Sequence, residues 1–249
     1  MIFRGYLIQF TSVLNKANIK IPSCVDCKND SNIFCTLSRD EKDKLGTNKV
    51  NNFYKKGQTI FYEGNQSHGL FCVYTGKIKL SKLSENGKEQ IIRLAKKADI
   101  LGYRSLFSNE PYQATAVALE DSYVCLLPKD KVFNLLQSNP KMSWKTLLLL
   151  SNDLKKAENH LTNIAQKTVI ERIAEALLLL HSTFGFENTS NIIDVRLTRT
   201  EIGEIAGTTT ETTIRTLAKL KKEGHIVLDG KKIGINNVSN LANIAKIYD

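Results

Sequence analysis

Between about Asn51 and Lys129, apolar residues come in short runs that alternate with polar ones or stay nearly continuous, and each run is cut off by glycine. Thr59 to Tyr62, Leu70 to Tyr74, Lys77 to Leu83, Gln90 to Leu94 and Tyr123 to Leu127 are rich in β-branched and aromatic residues, which predicts strands. Gly57, Gly64, Gly69, Gly76, Gly87 and Gly102 mark the connections, and Asn86-Gly87 is a strong hairpin signal because both residues accept a left-handed backbone. The spacing predicts a compact antiparallel β unit, a sandwich or barrel.

From Pro140 the period changes. Leu147, Leu150, Leu154, Ala157, Leu161 and Ile164 recur at steps of three and four, the a/d spacing of a coiled-coil seam. Lys155, Lys156, Glu158, Asn159 and Gln166 lie between them, so a single stripe is apolar. A long helix with one stripe, joining two domains, predicts homodimerisation. A second helix is expected at about Val169 to His181, then a polar loop over 182–191 and a short strand from Ile192 to Leu197.

Thr198 with Glu201 three residues on has capping-box spacing, and Ile202, Ile205 and Ala206 supply one apolar face for a short helix. Gly207 suits a tight turn. Thr208 and Glu211 repeat the capping spacing at the head of another helix running to about Glu223, with Ile214, Leu217, Ala218 and Leu220 as its apolar positions. Two short helices joined through a glycine turn form a motif whose second helix enters the DNA major groove. The residues expected to face the DNA are Thr209, Thr210, Glu211, Thr213, Ile214, Arg215 and Lys219. A Glu accepts from cytosine N4 and an Arg bridges guanine O6 and N7, so Glu211 and Arg215, one turn apart, suit neighbouring base pairs. Threonine hydroxyls and a helix N-terminus suit phosphates. After Gly224, Ile226 to Ile235 reads as strand, Asp-Gly turn, strand, which is a wing.

Length and charge refine this picture. A chain of 249 residues, 42% hydrophobic and 24% charged, can bury a core in one large or two small domains and is not a disordered chain. The divisions expected are 1–35, a cysteine-containing segment; 36–138, the β unit; 139–167, the dimerisation helix; and 168–249, the DNA-binding domain. No apolar run approaches the roughly 20 residues of a spanning helix, and Met1 to Phe10 has no signal-peptide pattern, so a cytoplasmic protein without a membrane partner is expected. The net charge is +10, but the excess lies in residues 1–166, with 24 Lys+Arg against 15 Asp+Glu; residues 167–249 carry 11 against 10. Only the cluster Arg215, Lys219, Lys221, Lys222, Lys231 and Lys232 is basic near the reader. The four histidines, His68, His160, His181 and His225, form no metal-ligand or triad spacing, and an enzyme is not expected.

This order of parts resembles the Crp/Fnr family of bacterial transcription regulators over about residues 36–240. The resemblance is carried by Lys56-Gly-Gln-Thr-Ile-Phe-Tyr-Glu-Gly64, Leu70 to Lys79, Glu120 to Pro128, Leu197-Thr-Arg-Thr-Glu-Ile-Gly203 and Thr210-Glu-Thr-Thr-Ile-Arg215. It implies an α+β protein: an N-terminal antiparallel β-roll of the cyclic-nucleotide-binding jelly-roll kind, a long dimerisation helix and a C-terminal winged helix-turn-helix. It also implies a cytoplasmic homodimer that binds a palindromic double-stranded DNA site and contacts RNA polymerase under control of its β-roll. A β-roll module acting through protein partners is the alternative. Glu211 and Arg215 match the family's base-reading pair. Where the Fnr branch has a Ser, this chain has Ile214, whose side chain suits a thymine methyl.

The family's cyclic-nucleotide site departs here. In Gly102-Tyr-Arg-Ser-Leu106, Tyr103 replaces the ribose-binding acid, and no Arg stands near Gln113 to meet a phosphate, so cAMP is not expected. Cys24, Cys27, Cys35 and Cys125 resemble the four ligands of the oxygen-sensing Fnr cluster, although seven residues separate Cys27 from Cys35 rather than about five. Three readings stay open: a 4Fe-4S cluster on these four thiolates, zinc, or no metal with Cys35, Cys72 and Cys125 buried as small apolar residues.

Overall fold

The computed structural model of the protein describes residues 22–27 and 32–247. A 3-10 turn (Ile33–Thr36) and α1 (Arg39–Thr47) lead into a sandwich of eight strands: β1 (Val50–Tyr54), β2 (Thr59–Phe61), β3 (Gly69–Thr75), β4 (Ile78–Leu83), β5 (Glu89–Ala95), β6 (Ile100–Leu101), β7 (Thr115–Ala118) and β8 (Ser122–Pro128), with α2 (Tyr103–Ser108) between β6 and β7. One sheet has the order β1-β8-β3-β6 and the other β2-β7-β4-β5, all antiparallel. Val73, Ile78, Ala95, Leu101, Ala116 and Val124 fill the space between them. Burial follows the two-residue period of a pleated strand, so the opposite face of the first sheet carries its own row, Leu70, Cys72, Cys125 and Leu127. Leu70 and Leu127 are covered by Ile33, Phe34, Leu37 and Leu45 from the N-terminal layer and by Val132 and Met142 from α3 (Lys129–Ser138) and α4 (Pro140–Gln166).

Every strand expected within the β unit is present, with ends shifted by a residue or so. Three more join them. β1, Val-Asn-Asn-Phe-Tyr, is an edge strand whose paired asparagines hide its alternation, and its order comes from pairing with β8. β6 and β7 are too short to show a period. Gly87 holds the left-handed conformation, φ 76°, that the β4–β5 hairpin turn requires.

The C-terminal unit comprises α5 (Val169–Phe184), α6 (Arg199–Ala206), α7 (Thr210–Lys222), the β9 (Ile226–Asp229) and β10 (Lys232–Ile235) hairpin, and α8 (Val238–Ile244). Residues 192–197, expected as a strand, form none. Ile193, Val195 and Leu197 do alternate into the core, but only single bridges, Phe186 to Ile193 and Ile192 to Gly234, are made. The Val195 N–H turns back to the Ile193 carbonyl, a tight turn that ends any ladder. The core of this unit extends into the sandwich through Ile91 on β5 and Leu119.

No described helix is long and apolar enough to cross a membrane. α4 spans 27 residues, and Leu147, Leu154 and Leu161 on it are 56%, 61% and 69% exposed in the single chain. Leu150 leans partly onto its own domain.

Candidate functional site

Local sequence builds the helix pair. The Thr198 hydroxyl accepts from the Glu201 N–H at 3.1 Å and the Glu201 carboxylate accepts from the Thr198 N–H at 2.8 Å, the reciprocal box that starts α6. α6 ends at Gly207, left-handed at φ 62°. The next helix is capped by Thr209, whose hydroxyl accepts from the Thr212 N–H at 3.3 Å; the cap expected at Thr208 lies one residue later, because the Thr208 N–H is used by the Gly203 carbonyl. The helices touch at Gly203. A Cβ there would stand 2.7 Å from the Thr213 hydroxyl and 3.0 Å from the Thr208 carbonyl, so only glycine permits this approach.

Thr209, Thr210, Glu211, Ile214, Arg215 and Lys219 are exposed together on the outer face of α7. Thr213, expected among them, is not: it is fully buried and its hydroxyl donates to the Thr209 carbonyl at 2.9 Å. The helical period places it beside Leu217 and Leu220, on the core face. Lys221, Lys222 and Lys231 are exposed at the end of α7 and at the wing tip.

Two arginines brace the reader, and the sequence pattern points to neither. Arg172 on α5 donates to the carbonyls of Lys167 at 2.7 Å, Ala206 at 2.8 Å and Gly207 at 3.4 Å, joining the end of α4 to the turn of the helix pair. Arg199 donates to the Gly230 carbonyl at 2.8 Å, tying α6 to the wing. Arg172→Ala should lower unfolding stability by about 1.5–3 kcal/mol, the range for hydrogen bonds to a charged group, and a urea melt checks this.

A buried ammonium couples the reader to the sandwich. Lys79 on β4 lies 3.2 Å from Glu201, 3.6 Å from Glu89 and 3.8 Å from Glu204. Burial pushes the Glu204 carboxyl above its usual range, with Lys79 opposing and Glu89 and Glu201 adding. For Glu201 burial is again the largest influence, but hydrogen bonds from Thr198 and the Lys79 charge together hold it below that range. A raised carboxyl favours the protonated form in the fold, so stability should rise as pH falls through Glu204's raised value. The contribution of Glu201, present above its unfolded value, is lost as pH falls further. Urea melts across the acid range should lose the rise, and keep the later loss, in Glu204→Gln.

Where the family resemblance implies a ribose-binding acid, Tyr103 is 1% exposed. Its hydroxyl donates to Asp153 on α4 and accepts from Arg93 on β5, and Asp153 also lies 3.8 Å from Arg104. Both arginines are thus drawn to a resident carboxylate, and these side chains join the sandwich to the long helix.

The outer face of the first sheet holds the thiols. Cys24, Cys27, Cys72 and Cys125, with Lys42 and Lys49, line one cavity beneath the N-terminal layer. Cys35 lies elsewhere, its sulfur accepting from the Lys145 ammonium on α4 at 2.9 Å. Burial raises the Cys125 thiol to about 11, with Lys49 opposing and Cys24 and Cys27 adding. Among the described residues, no three metal-ligating side chains surround one point as the chain stands. The set Cys24, Cys27, Cys35 and Cys125 implied by the resemblance therefore does not fit a common centre here: three share the cavity and Cys35 faces away from it.

Residues 51–139 match the cyclic nucleotide-binding domain family and residues 171–244 the Crp-like helix-turn-helix domain family. The chain is 30% identical over 192 residues to the fumarate and nitrate reduction regulatory protein of Escherichia coli, covering 77% of this chain and 76% of that protein. It is 26% identical over 194 residues to a CRP-like cAMP-activated global transcriptional regulator of Mycobacterium tuberculosis, covering 78% and 87%. The fold is shared with FixK2 from Bradyrhizobium japonicum, with a TM-score of 0.72, 24% identity and coverage of 81% of this chain and 99% of that one. With its β-roll, long helix and winged helix-turn-helix in family order, the chain belongs to the Crp/Fnr family of DNA-binding transcription regulators, which are not enzymes.

Proposed function

We propose that the protein binds a palindromic promoter site as a homodimer and adjusts transcription, through contact with RNA polymerase, in response to an oxygen or redox signal received by the β-roll. The observation that carries the DNA-binding part is the exposure of Glu211 and Arg215 one turn apart on α7, flanked by the threonine-rich N-terminus. A helix presented in this way offers one donor fork and one acceptor to adjacent base pairs, while Thr209 and Thr210 meet phosphate. Dimerisation is supported by the leucines of α4, which a lone chain leaves in water. Residues 36–138 act as the sensory domain, 139–167 as the dimer helix and 168–249 as the reader; the segment 1–35 lies largely outside the described residues.

The thiol-lined cavity supports a redox signal. Cyclic AMP is disfavoured by the arrangement around Tyr103, because Arg93 and Arg104 already face Asp153 and a buried phosphate needs a cation. Selection from random duplexes should return an inverted repeat with half-sites about one helical turn apart; a non-palindromic or purely nonspecific output would reject the proposal. Lys221→Ala should weaken binding evenly across sequences and reduce the salt slope by about one, read by gel shift at several salt concentrations.

A further inference from the structure

Between the long helix and the reader the chain leaves helical geometry for two residues only. α4 ends at Gln166 and α5 begins at Val169; Lys167 (φ −88°, ψ 142°) and Thr168 (φ −66°, ψ 163°) between them are extended. Such residues at the ends of elements are where a rotation of one rigid body against another is absorbed. A pivot here would swing the reader about the end of α4. Two bridges span the joint. Glu175 on α5 accepts from the Asn163 amide and, at 3.0 Å, from the Lys167 ammonium, which ties α5 back onto the last turn of α4. Arg172, one turn earlier on α5, is the other.

Arg172 sits where two helices finish. Its guanidinium meets the Lys167 carbonyl at the end of α4 and the Ala206 and Gly207 carbonyls at the end of α6. The last carbonyls of a helix lack partners within it and carry the negative end of its dipole, so one cation with a planar fork of donors serves both ends together. A lysine ammonium, a compact point charge, cannot reproduce that fork. None of Arg172's three acceptors lies on the outer face of α7, and the helix pair keeps its own contact at Gly203 and its own buried Leu217 and Leu220. Arg172 therefore governs where the reader stands relative to α4, and not which bases it reads.

We infer that Arg172, supported by Glu175, is a positioning residue that sets the spacing between the two half-sites the protein accepts. The inference rests on the reading of the protein as a homodimer on an inverted repeat. In such a dimer the readers are tied to each other through the paired α4 helices, so the joint of each protomer enters the distance between them. Half-sites one helical turn apart, about 34–36 Å over 10–10.5 base pairs, change their separation by about 3.4 Å and their facing by about 35° for each base pair added or removed. A braced joint meets such a change only by deforming the DNA, at a cost in affinity, whereas a two-residue joint free to rotate follows it.

The test uses full-length protein and the inverted repeat returned by duplex selection, rebuilt with its spacer one and two base pairs shorter and longer. Wild-type protein should bind the one-base-pair variants about tenfold or more weaker than the selected site. Arg172→Ala should reduce that penalty to about threefold or less, with the base preference inside each half-site unchanged. A residue that only stabilises the fold would weaken binding to all spacers alike. Thr213→Ala, which loses a bond inside α7 and leaves the joint intact, should keep the wild-type spacer profile. Arg172→Lys, which keeps the charge and loses the fork, and Glu175→Gln should broaden the profile in the same direction; they decide the matter if circular dichroism shows Arg172→Ala unfolded. Equal binding of all spacers by wild-type protein, uniform loss across spacers in the variants, or one sharp spacer retained in the folded Arg172 variants would overturn the inference and leave the dimeric reading standing. Selection by wild-type protein that returns no inverted repeat would instead reject that reading, and this inference with it.

Discussion

Arg215→Ala should lose about 1–3 kcal/mol of specific DNA affinity, about 5- to 150-fold, and should relax discrimination at one position of each half-site. The reason is geometric. Arg215 is exposed on the outer face of α7, and the residues that hold α7 in place, Leu217, Leu220 and Thr213, lie on the other side. Truncation therefore removes a donor fork without disturbing the packing, and nonspecific affinity should change far less than specific affinity. Gel shifts on the selected site and on each single-base variant would measure this; equal loss on all sequences would make Arg215 a phosphate contact. Thr213→Ala provides the contrast. It should cost stability through the lost bond to the Thr209 carbonyl and leave the base preference unchanged.

Leu154→Asp or Leu161→Asp should convert the proposed homodimer to monomers. A buried leucine contributes about 1.5–3 kcal/mol, and in a two-fold interface each substitution occurs twice. The two carboxylates would face apolar surroundings or one another, so the dimer dissociation constant should rise about 1000-fold or more. Both leucines are more than half exposed in the single chain, so the thermal melt of each protomer's domains should barely change. Sedimentation velocity decides the first point and circular dichroism the second. Binding to the full inverted repeat should fall toward that of a half-site. A dimer that survives both substitutions would place the interface elsewhere.

Much of the architecture is legible in the chain because its signals are local. The two-residue alternation of the sandwich, the Asn86-Gly87 turn, the a/d stripe of α4 and the Thr198 to Glu201 capping box each depend on residues within one or two turns of each other, and each appears in the structure. Two readings fail for one reason. Residues 192–197 alternate as a strand does but find no partner to complete a ladder, and Thr213 has a polar side chain yet satisfies it within its own helix. Whether a backbone group or a hydroxyl is paired depends on what lies across from it, and short-range pattern carries no record of that.

The sequence by itself determined the order of parts, the family, and the exposed Glu211 and Arg215, since helical period and capping follow from chain-local sterics and hydrogen bonds. Tertiary structure alone decided which thiols share a cavity. Cys72 and Cys125 are 53 residues apart in the chain and meet only because β3 pairs with β8 in that register, while Cys35, close to Cys27 in sequence, is turned toward Lys145 by the 3-10 turn that buries Ile33 and Phe34. It likewise decided that Lys79 would hold Glu201, and that Tyr103 would close on Asp153. Contacts between distant segments are set by how sheets and helices stack, and a change of strand register by one residue would have turned Cys72, Cys125 or Lys79 to the opposite face of its sheet.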